Sequence, residues 1–453
     1  MHMKKTLLLA LILLSTRPQA QEAERNEEPK SLKEIFTGSE VEGHIRNFFM
    51  TTLNEGDLKD YYTNAIGGAL AIKTKEYKGF EIGVKGIFTY KGFSADLNEA
   101  DETTGRISKW EHELYDITDF DNFNDLDRLE ELYLRYNFKR GYITYGKLAV
   151  EETPLLNESD GRMKPFAFKG IWLQHKTRDH LINLSWLDRL SPRSTVEWYG
   201  FNEAIGLVNN GFQPNGEIAD YRGKTESKGI ALLEYEYNLP YLNLRVNHWY
   251  IHHISHTGMV ELNLLRNNWE LGMQYAYQFP DGFQADLPYV NRYVQPGENG
   301  QVLSARVAYD PERWQVSLGF TRAFDSGRFL FPKELGRDHF FTSIPRSRLE
   351  GFGDAEVLTL SGEYRFRREG FFARVDLTEV FGPRVGDFEF NKYNLDEYYQ
   401  MNLRLHYELK GFLKGLAFDL LYIHNKNRNT STPDVIFNSS NFHQLSFVTN
   451  YNF

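Results

Sequence analysis

The chain has 453 residues, no cysteine and a formal net charge of −10 at neutral pH. The lack of thiols excludes a disulfide scaffold, thiol catalysis and cysteine-ligated zinc, and the acidic balance argues against a nucleic-acid partner, whose phosphates require a basic surface. Aromatic residues make up 15% of this otherwise polar chain. Its length fits two or three soluble domains or one large barrel.

The N-terminus has the pattern of an export signal. Lys4 and Lys5 precede an apolar run from Leu7 to Leu14, which is too short to span a bilayer as a helix. We expect cleavage after Ala20, so residues 1–20 form a signal peptide and the polar stretch 21–40 a periplasmic extension. Since no later segment approaches the roughly 20 apolar residues of a spanning helix, the exported chain is either a soluble secreted protein or an outer-membrane barrel.

Strict alternation of apolar and polar residues favours the barrel. In WELGMQYAYQF the apolar side chains from Trp269 to Phe279 occupy every second position, and YQMNLRLHYEL repeats the pattern from Tyr399 to Leu409. A period of two indicates a strand with one apolar and one polar face. These strands extend over about 11 residues, the length of a tilted strand that crosses a bilayer, whereas soluble strands average about 5 or 6.

Short and long connections alternate along the chain. Short turns are predicted at 75–79, 139–141, 177–179, 238–240, 265–268, 310–312, 367–370 and 410–415. Between them lie mostly longer polar connections at 51–63, 91–127, 151–167, 189–227, 280–299, 324–354, 381–395 and 426–439, and a short one near 253–256. This order is typical of outer-membrane barrels with short periplasmic turns and long extracellular loops. We therefore predict an all-β fold, a transmembrane antiparallel β-barrel of about 18 strands over residues 41–453.

The C-terminal segment HQLSFVTNYNF places apolar and aromatic side chains on one face and ends at Phe453. The plain interpretation is a last barrel strand. The more specific interpretation is the terminal signal by which barrel assembly machinery recognises its clients, and the export signal and the alternation favour it.

The segment YGKLAVEETPLLNESDGRMKPFAFKG resembles the third loop of the OprD family of outer-membrane porins, and GHIRNFF (43–49) is similar to that family's first strand. The matching loop positions are Gly146, Pro154, Leu155, Asp160, Gly161, Arg162, Pro165, Phe168 and Gly170. The resemblance implies a substrate-selective channel of 18 strands whose third loop, residues 151–167, folds inward and narrows the pore. It also implies passive uptake of small solutes, typically carrying a carboxylate.

The family further implies a ladder of basic side chains on the barrel wall, facing acidic groups across the constriction. The resemblance and the alternation together predict three residues at the constriction and seven on the lumen wall. At the constriction we expect Asp160, Arg162 and Lys164. On the wall we expect Arg46, Arg135, Arg245, Arg306, Arg365, Arg374 and Arg404. These arginines could instead pair with neighbouring acids and simply fill the lumen. The expected partners are outer-membrane lipids, lipopolysaccharide, and small carboxylates or amino acids.

Other functions and sites remain open at this stage. A non-conducting barrel that displays loops for surface binding or adhesion is the main alternative, and a barrel hydrolase is disfavoured because no serine has a G-x-S-x-G context. The histidines of NHWYIHHISH are interpreted as a polar strand end and not a metal site. The acidic second loop is either solvated, bridged by cations to lipopolysaccharide, or a calcium site. We expect no cofactor, and either a monomer or a loose homotrimer.

Overall fold

The computed structural model describes Pro29, residues 31–159 and residues 161–453. The predicted signal peptide lies outside the described residues, as does most of the extension up to residue 30. The described chain forms 19 strands: β1 Glu40–Asn54, β2 Tyr61–Lys73, β3 Phe80–Ser94, β4 Arg128–Phe138, β5 Gly141–Leu148, β6 Ala167–Lys176, β7 His180–Ser191, β8 Tyr199–Gly200, β9 Ile230–Leu239, β10 Leu242–Ile251, β11 Ser255–Arg266, β12 Trp269–Pro280, β13 Gln301–Tyr309, β14 Trp314–Ala323, β15 Ala355–Arg365, β16 Phe371–Phe381, β17 Tyr398–Glu408, β18 Leu416–Asn427 and β19 Phe442–Asn452.

Helices are few and short in the described chain. The α-helices are Leu32–Thr37, Phe201–Ala204 and Pro433–Ile436, and the 3₁₀ segments are His112–Leu114, Gly282–Asp286, Tyr289–Asn291 and Gly411–Leu413. Within the part of the chain that the structure describes, no helix has the length and apolarity to cross a membrane.

The strands close into one antiparallel barrel. Each wall strand pairs with the next along the chain, and β1 closes the ring by pairing with β19 from His44–Asn452 to Asn54–Phe442. The two-residue β8 only extends the end of β7, and β7 pairs directly with β9. The wall therefore has 18 strands, which confirms the predicted fold class and strand number.

Turns and loops lie at opposite ends of the barrel. Eight short turns connect the strands at the end that carries both termini, and nine loops connect them at the other end. The loops that matter below are L2 (95–127), L3 (149–166), L4 (192–229), L6 (281–300), L7 (324–354) and L8 (382–397). Their order is the predicted one, and the boundaries differ from the predicted boundaries by a few residues.

The outer surface of the wall is apolar and banded with aromatic rings. On β12 all six residues of the predicted apolar face, from Trp269 to Phe279, are at least 40% exposed. At the turn end, outward rings pack in pairs across neighbouring strands, such as Trp269 with Tyr309 at 4.8 Å between centroids. An apolar band edged by aromatic side chains is the surface that a bilayer requires.

The long loops pack into the barrel and build a second core there. They contribute fully or nearly fully buried apolar side chains, among them Leu155, Leu156, Phe166, Phe201, Ile205, Tyr293, Val294, Phe329 and Leu330. Each such side chain contributes about 1.5–3 kcal/mol when it leaves water. At the loop end, folded loops therefore fill much of the lumen, and they do not extend into solvent.

The C-terminus is fastened to the first strand. Gly43 and Phe453 exchange two backbone hydrogen bonds of 3.0 Å, and the Phe453 ring lies against Gly43. A Cβ at position 43 would stand 2.7 Å from that ring, so only glycine leaves room for it.

Candidate functional site

L3 lies inside the lumen and touches the wall on one side and another loop on the other. The backbone oxygen of Arg162 accepts a hydrogen bond of 2.6 Å from Arg46 on β1. On the opposite side, the Asn157 amide donates to the backbone oxygen of Arg337 in L7 at 2.8 Å. A Cβ at Gly67 on β2 would meet Met163 of L3 at 2.9 Å. The contacts hold L3 between the β1–β2 wall and L7.

The three predicted constriction residues have different surroundings. Arg162 is 2% exposed and donates through Nε and Nη2 to Glu113 of L2, at 2.9 and 2.5 Å. Lys164 is 1% exposed, and its Nζ has no hydrogen-bond partner among the described residues. Burial, reinforced by the neighbouring charge of Arg128, lowers the pKa of Lys164 to about 7. Asp160 lies outside the described residues.

One cavity of about 620 Å³ separates L3 and L7 from the wall formed by β1 and β17–β19. Among the described residues that line it, three are carboxylates: Glu113, Glu350 and Asp419. Nine are cations: Arg46, Lys109, Arg162, Arg193, Lys333, Arg337, Arg346, Arg348 and Arg404. This excess of positive charge contrasts with the net charge of −10 of the whole chain.

Neutral oxygens hold the L7 arginines in place. Arg337 donates to a backbone oxygen of its own loop at 2.8 Å, and Arg348 donates to the backbone oxygen of Asp338 at 2.6 Å. Arg346 donates to the side-chain oxygen of Gln444 at 2.8 Å. Among the described residues, none of the three arginines has a carboxylate oxygen within 4.0 Å. Within the described part of the chain, neutral oxygens therefore orient these three guanidinium groups, and no carboxylate is in direct contact with them.

Glu113 is the carboxylate that L2 inserts among these cations. Its Oε2 accepts from Arg162 and, at 3.4 Å, from Arg193 of L4. Burial opposes its ionisation, but the arginines outweigh burial and hold the pKa of Glu113 well below its usual range. Glu113 is therefore an anion at every physiological pH.

The predicted wall ladder divides into two groups. Arg46 and Arg404 line the cavity, and Arg404 also pairs with Asp419 at 2.6 Å. The other five do not line it, and each contacts a carboxylate. The pairs are Arg135 with Glu81, Arg245 with Glu234 and Glu236, Arg306 with Glu270, Arg365 with Asp310 and Glu363, and Arg374 with Asp376. Their part in selectivity stays a prediction.

Several cavity-lining side chains could not be predicted from the sequence because they belong to loops. The alternation of a strand shows which way a side chain points, but a loop has no such period. The available signal was compositional, since L7 carries Lys333, Arg337, Arg346 and Arg348 within 16 positions. One strand residue was also missed. Arg128, at the start of β4, donates to the backbone oxygen of Pro165 at 2.7 Å and so holds L3 against the wall.

The histidines of NHWYIHHISH lie on β10, on β11 and in the connection between these strands. Among the residues that the structure covers, no three His, Cys, Asp or Glu side chains are grouped to hold an ion. The His252 and His253 rings instead lie 3.8 Å apart, and His253 stacks on Phe283.

Comparison with known proteins gives matches in structure alone. No family model matches the chain, and no curated protein does. Similar solved structures are OccK9 (OpdG) of Pseudomonas aeruginosa, with 15% identity and TM-score 0.71 over 92% of this chain and 99% of that one, and OccK3 (OpdO) of the same organism, with 15% identity and TM-score 0.66 over 93% and 97%. OccAB4 of Acinetobacter baumannii has 15% identity and TM-score 0.68 over 92% and 98%. These neighbours are OprD/Occ porins, so the predicted likeness to that outer-membrane barrel fold is confirmed.

Proposed function

We propose that this chain is an outer-membrane channel for the passive uptake of small hydrophilic anions, including carboxylates. In this proposal the cavity between L3, L7 and the wall is the narrow part of the path. Its cations select the solute and the barrel provides the passage. The observation that supports the proposal is the lining of the cavity, where nine basic side chains face three carboxylates among the described residues.

Such a lining suits anion transport for two physical reasons. A narrow, partly dehydrated passage strengthens the field of each fixed charge, so anions accumulate inside. A guanidinium also binds a carboxylate through two parallel hydrogen bonds. Several neighbouring cations make each binding event weak enough for the solute to move from one to the next.

The surface of the barrel suggests how it lies in the outer membrane. The apolar outer band fits a bilayer, and the aromatic rings at the turn end fit its interface. We place the turn end in the periplasm and the loop end at the cell surface, where acidic L2 meets lipopolysaccharide. The terminal Phe453 is 45% exposed and is proposed as the contact for barrel assembly machinery.

Single-channel recording in a planar bilayer tests this function. Under a salt gradient, the reversal potential of the wild-type protein is expected to show a preference for chloride over potassium. Arg346→Gln should reduce that preference, because Arg346 faces the cavity without a carboxylate partner. Arg178→Gln is the matched control, because Arg178 is 94% exposed in the turn that joins β6 to β7. A cation-selective pore would refute the basic filter, and a protein that never conducts would leave a surface-binding barrel as the function.

A further inference from the structure

Glu113 engages its arginines in the way that a bound solute would. A single carboxylate oxygen, Oε2, accepts from both Nε and Nη2 of Arg162 and from Nη2 of Arg193. The Glu113 side chain is 15% exposed and borders the cavity. A carboxylate that belongs to the chain thus occupies an arginine pair at the edge of the proposed path.

The arginine pair has more donors and more charge than Glu113 satisfies. Arg193 is 10% exposed at its side chain, and its Nε is buried with no hydrogen-bond partner among the described residues. Two buried guanidinium groups face one carboxylate, and a guanidinium keeps its proton in proteins. A buried donor without a partner is unfavourable, so an anion that satisfied it would bind favourably.

Only the side chain of Glu113 is free to leave. The neighbouring Leu114 and Tyr115 are fully buried, and the Tyr115 hydroxyl hydrogen-bonds to Thr63 at 2.5 Å. Ser194 also donates to the backbone oxygen of Glu113. The backbone of L2 is therefore fixed at this point. Rotation about the side-chain bonds moves the carboxylate into the cavity without unfolding the loop.

We propose that Arg162 and Arg193 form a carboxylate-binding site that Glu113 occupies in the empty channel, and that a solute carboxylate exchanges with it. The inference rests on the proposed channel function and adds an internal competitor to it. The tethered carboxylate lowers the apparent affinity for every solute carboxylate, which shortens the time each solute stays. Fast release favours flux through a channel that must not retain its cargo.

Block of the single-channel chloride current by succinate tests the exchange. In Glu113→Gln the half-blocking succinate concentration should fall about tenfold, because a side chain tethered beside its site competes at an effective concentration in the millimolar range. Glu350→Gln is the matched control. It removes one negative charge from the same cavity, but Glu350 lies 3.5 Å from Lys333 and not at the arginine pair. Its half-blocking concentration should fall less than that of Glu113→Gln, because Arg162 and Arg193 keep their tethered carboxylate in Glu350→Gln.

The outcomes separate the two proposals. Equal gains in both variants would show a general electrostatic effect and overturn the exchange, as would an unchanged Glu113→Gln protein. Adding Arg193→Gln to Glu113→Gln should abolish the gain. If the wild-type protein does not conduct, the channel function falls. Calorimetric titration of the purified protein with succinate then still decides whether Glu113→Gln binds more tightly. Glu113→Asp, which keeps the charge on a shorter side chain, should lie between wild type and Glu113→Gln.

Discussion

Lys164→Met should stabilise the protein and leave its ion selectivity unchanged. The Lys164 side chain is nearly fully buried, and its Nζ has no hydrogen-bond partner among the described residues. Burial and the charge of Arg128 lower its pKa from 10.5 to about 7. At 1.36 kcal/mol per pKa unit, keeping this ammonium charged in the folded state costs about 5 kcal/mol. Methionine has a similar length and no charge, so we expect a gain of about 2–4 kcal/mol at neutral pH.

The sign of the pH dependence follows from the lowered pKa. Between the folded and unfolded pKa values, the unfolded chain binds more protons at Lys164 than the folded one. The destabilisation of the folded state by charged Lys164 is present in full below about pH 7 and disappears as the pH rises toward 10. Wild-type stability should therefore rise over this window through the Lys164 contribution. That contribution should be absent from Lys164→Met.

Urea unfolding from lipid vesicles, followed by tryptophan fluorescence at neutral and alkaline pH, measures both effects. Lys414→Met is the control, because Lys414 is exposed in a turn, and it should change the free energy of unfolding by less than about 0.5 kcal/mol. A loss of stability in Lys164→Met would refute the burial argument. A change in reversal potential as large as that of Arg346→Gln would return Lys164 to the constriction, where the sequence reasoning put it.

Three further outcomes are expected. Arg128→Met should lower the free energy of unfolding by about 3–5 kcal/mol, because it leaves the buried Glu130 without its cation. It should also raise conductance, because it removes the hydrogen bond that holds L3 to the wall. Adding Glu130→Gln should recover most of the stability but leave the conductance change. Glu298→Gln should cost a similar 3–5 kcal/mol by leaving Arg328, 1% exposed, without its carboxylate, and thermal unfolding in detergent checks it. Phe453→Ser should slow membrane assembly, measured as the folded fraction after a pulse of synthesis, and an unchanged rate would remove the proposed terminal signal.

The sequence predicted the barrel wall far better than the loops that pack inside it. Strict alternation, such as the run from Trp269 to Phe279, shows which residues face lipid because one face of the strand must be apolar. A bulge between Lys85 and Gly86 breaks this rule locally and turns both Glu130 and Glu131 inward. Single-sequence alternation does not reveal where an extra residue enters a ladder.

The residues that line the cavity are brought together by contacts between segments that are distant in the sequence. Arg46, Arg162 and Arg404 were predicted and do line the cavity. Their partners could not be predicted, because Arg162 meets Glu113, which lies 49 positions earlier in another loop. Loop conformation is decided by which loops share the lumen, and a single sequence carries no period that encodes this arrangement.

The anchoring of the L7 arginines by neutral oxygens has an evolutionary consequence. The barrel wall contributes two of the nine cavity cations, and the loops contribute the other seven. Wall residues are constrained by lipid on one side and strand pairing on the other, whereas loop residues are free to change length and sequence. Under the proposed function, solute preference would therefore depend mainly on loop residues, while the barrel wall would stay the same. Substitutions in L7, residues 324–354, would then change the solute preference of related barrels without changing the membrane-spanning wall.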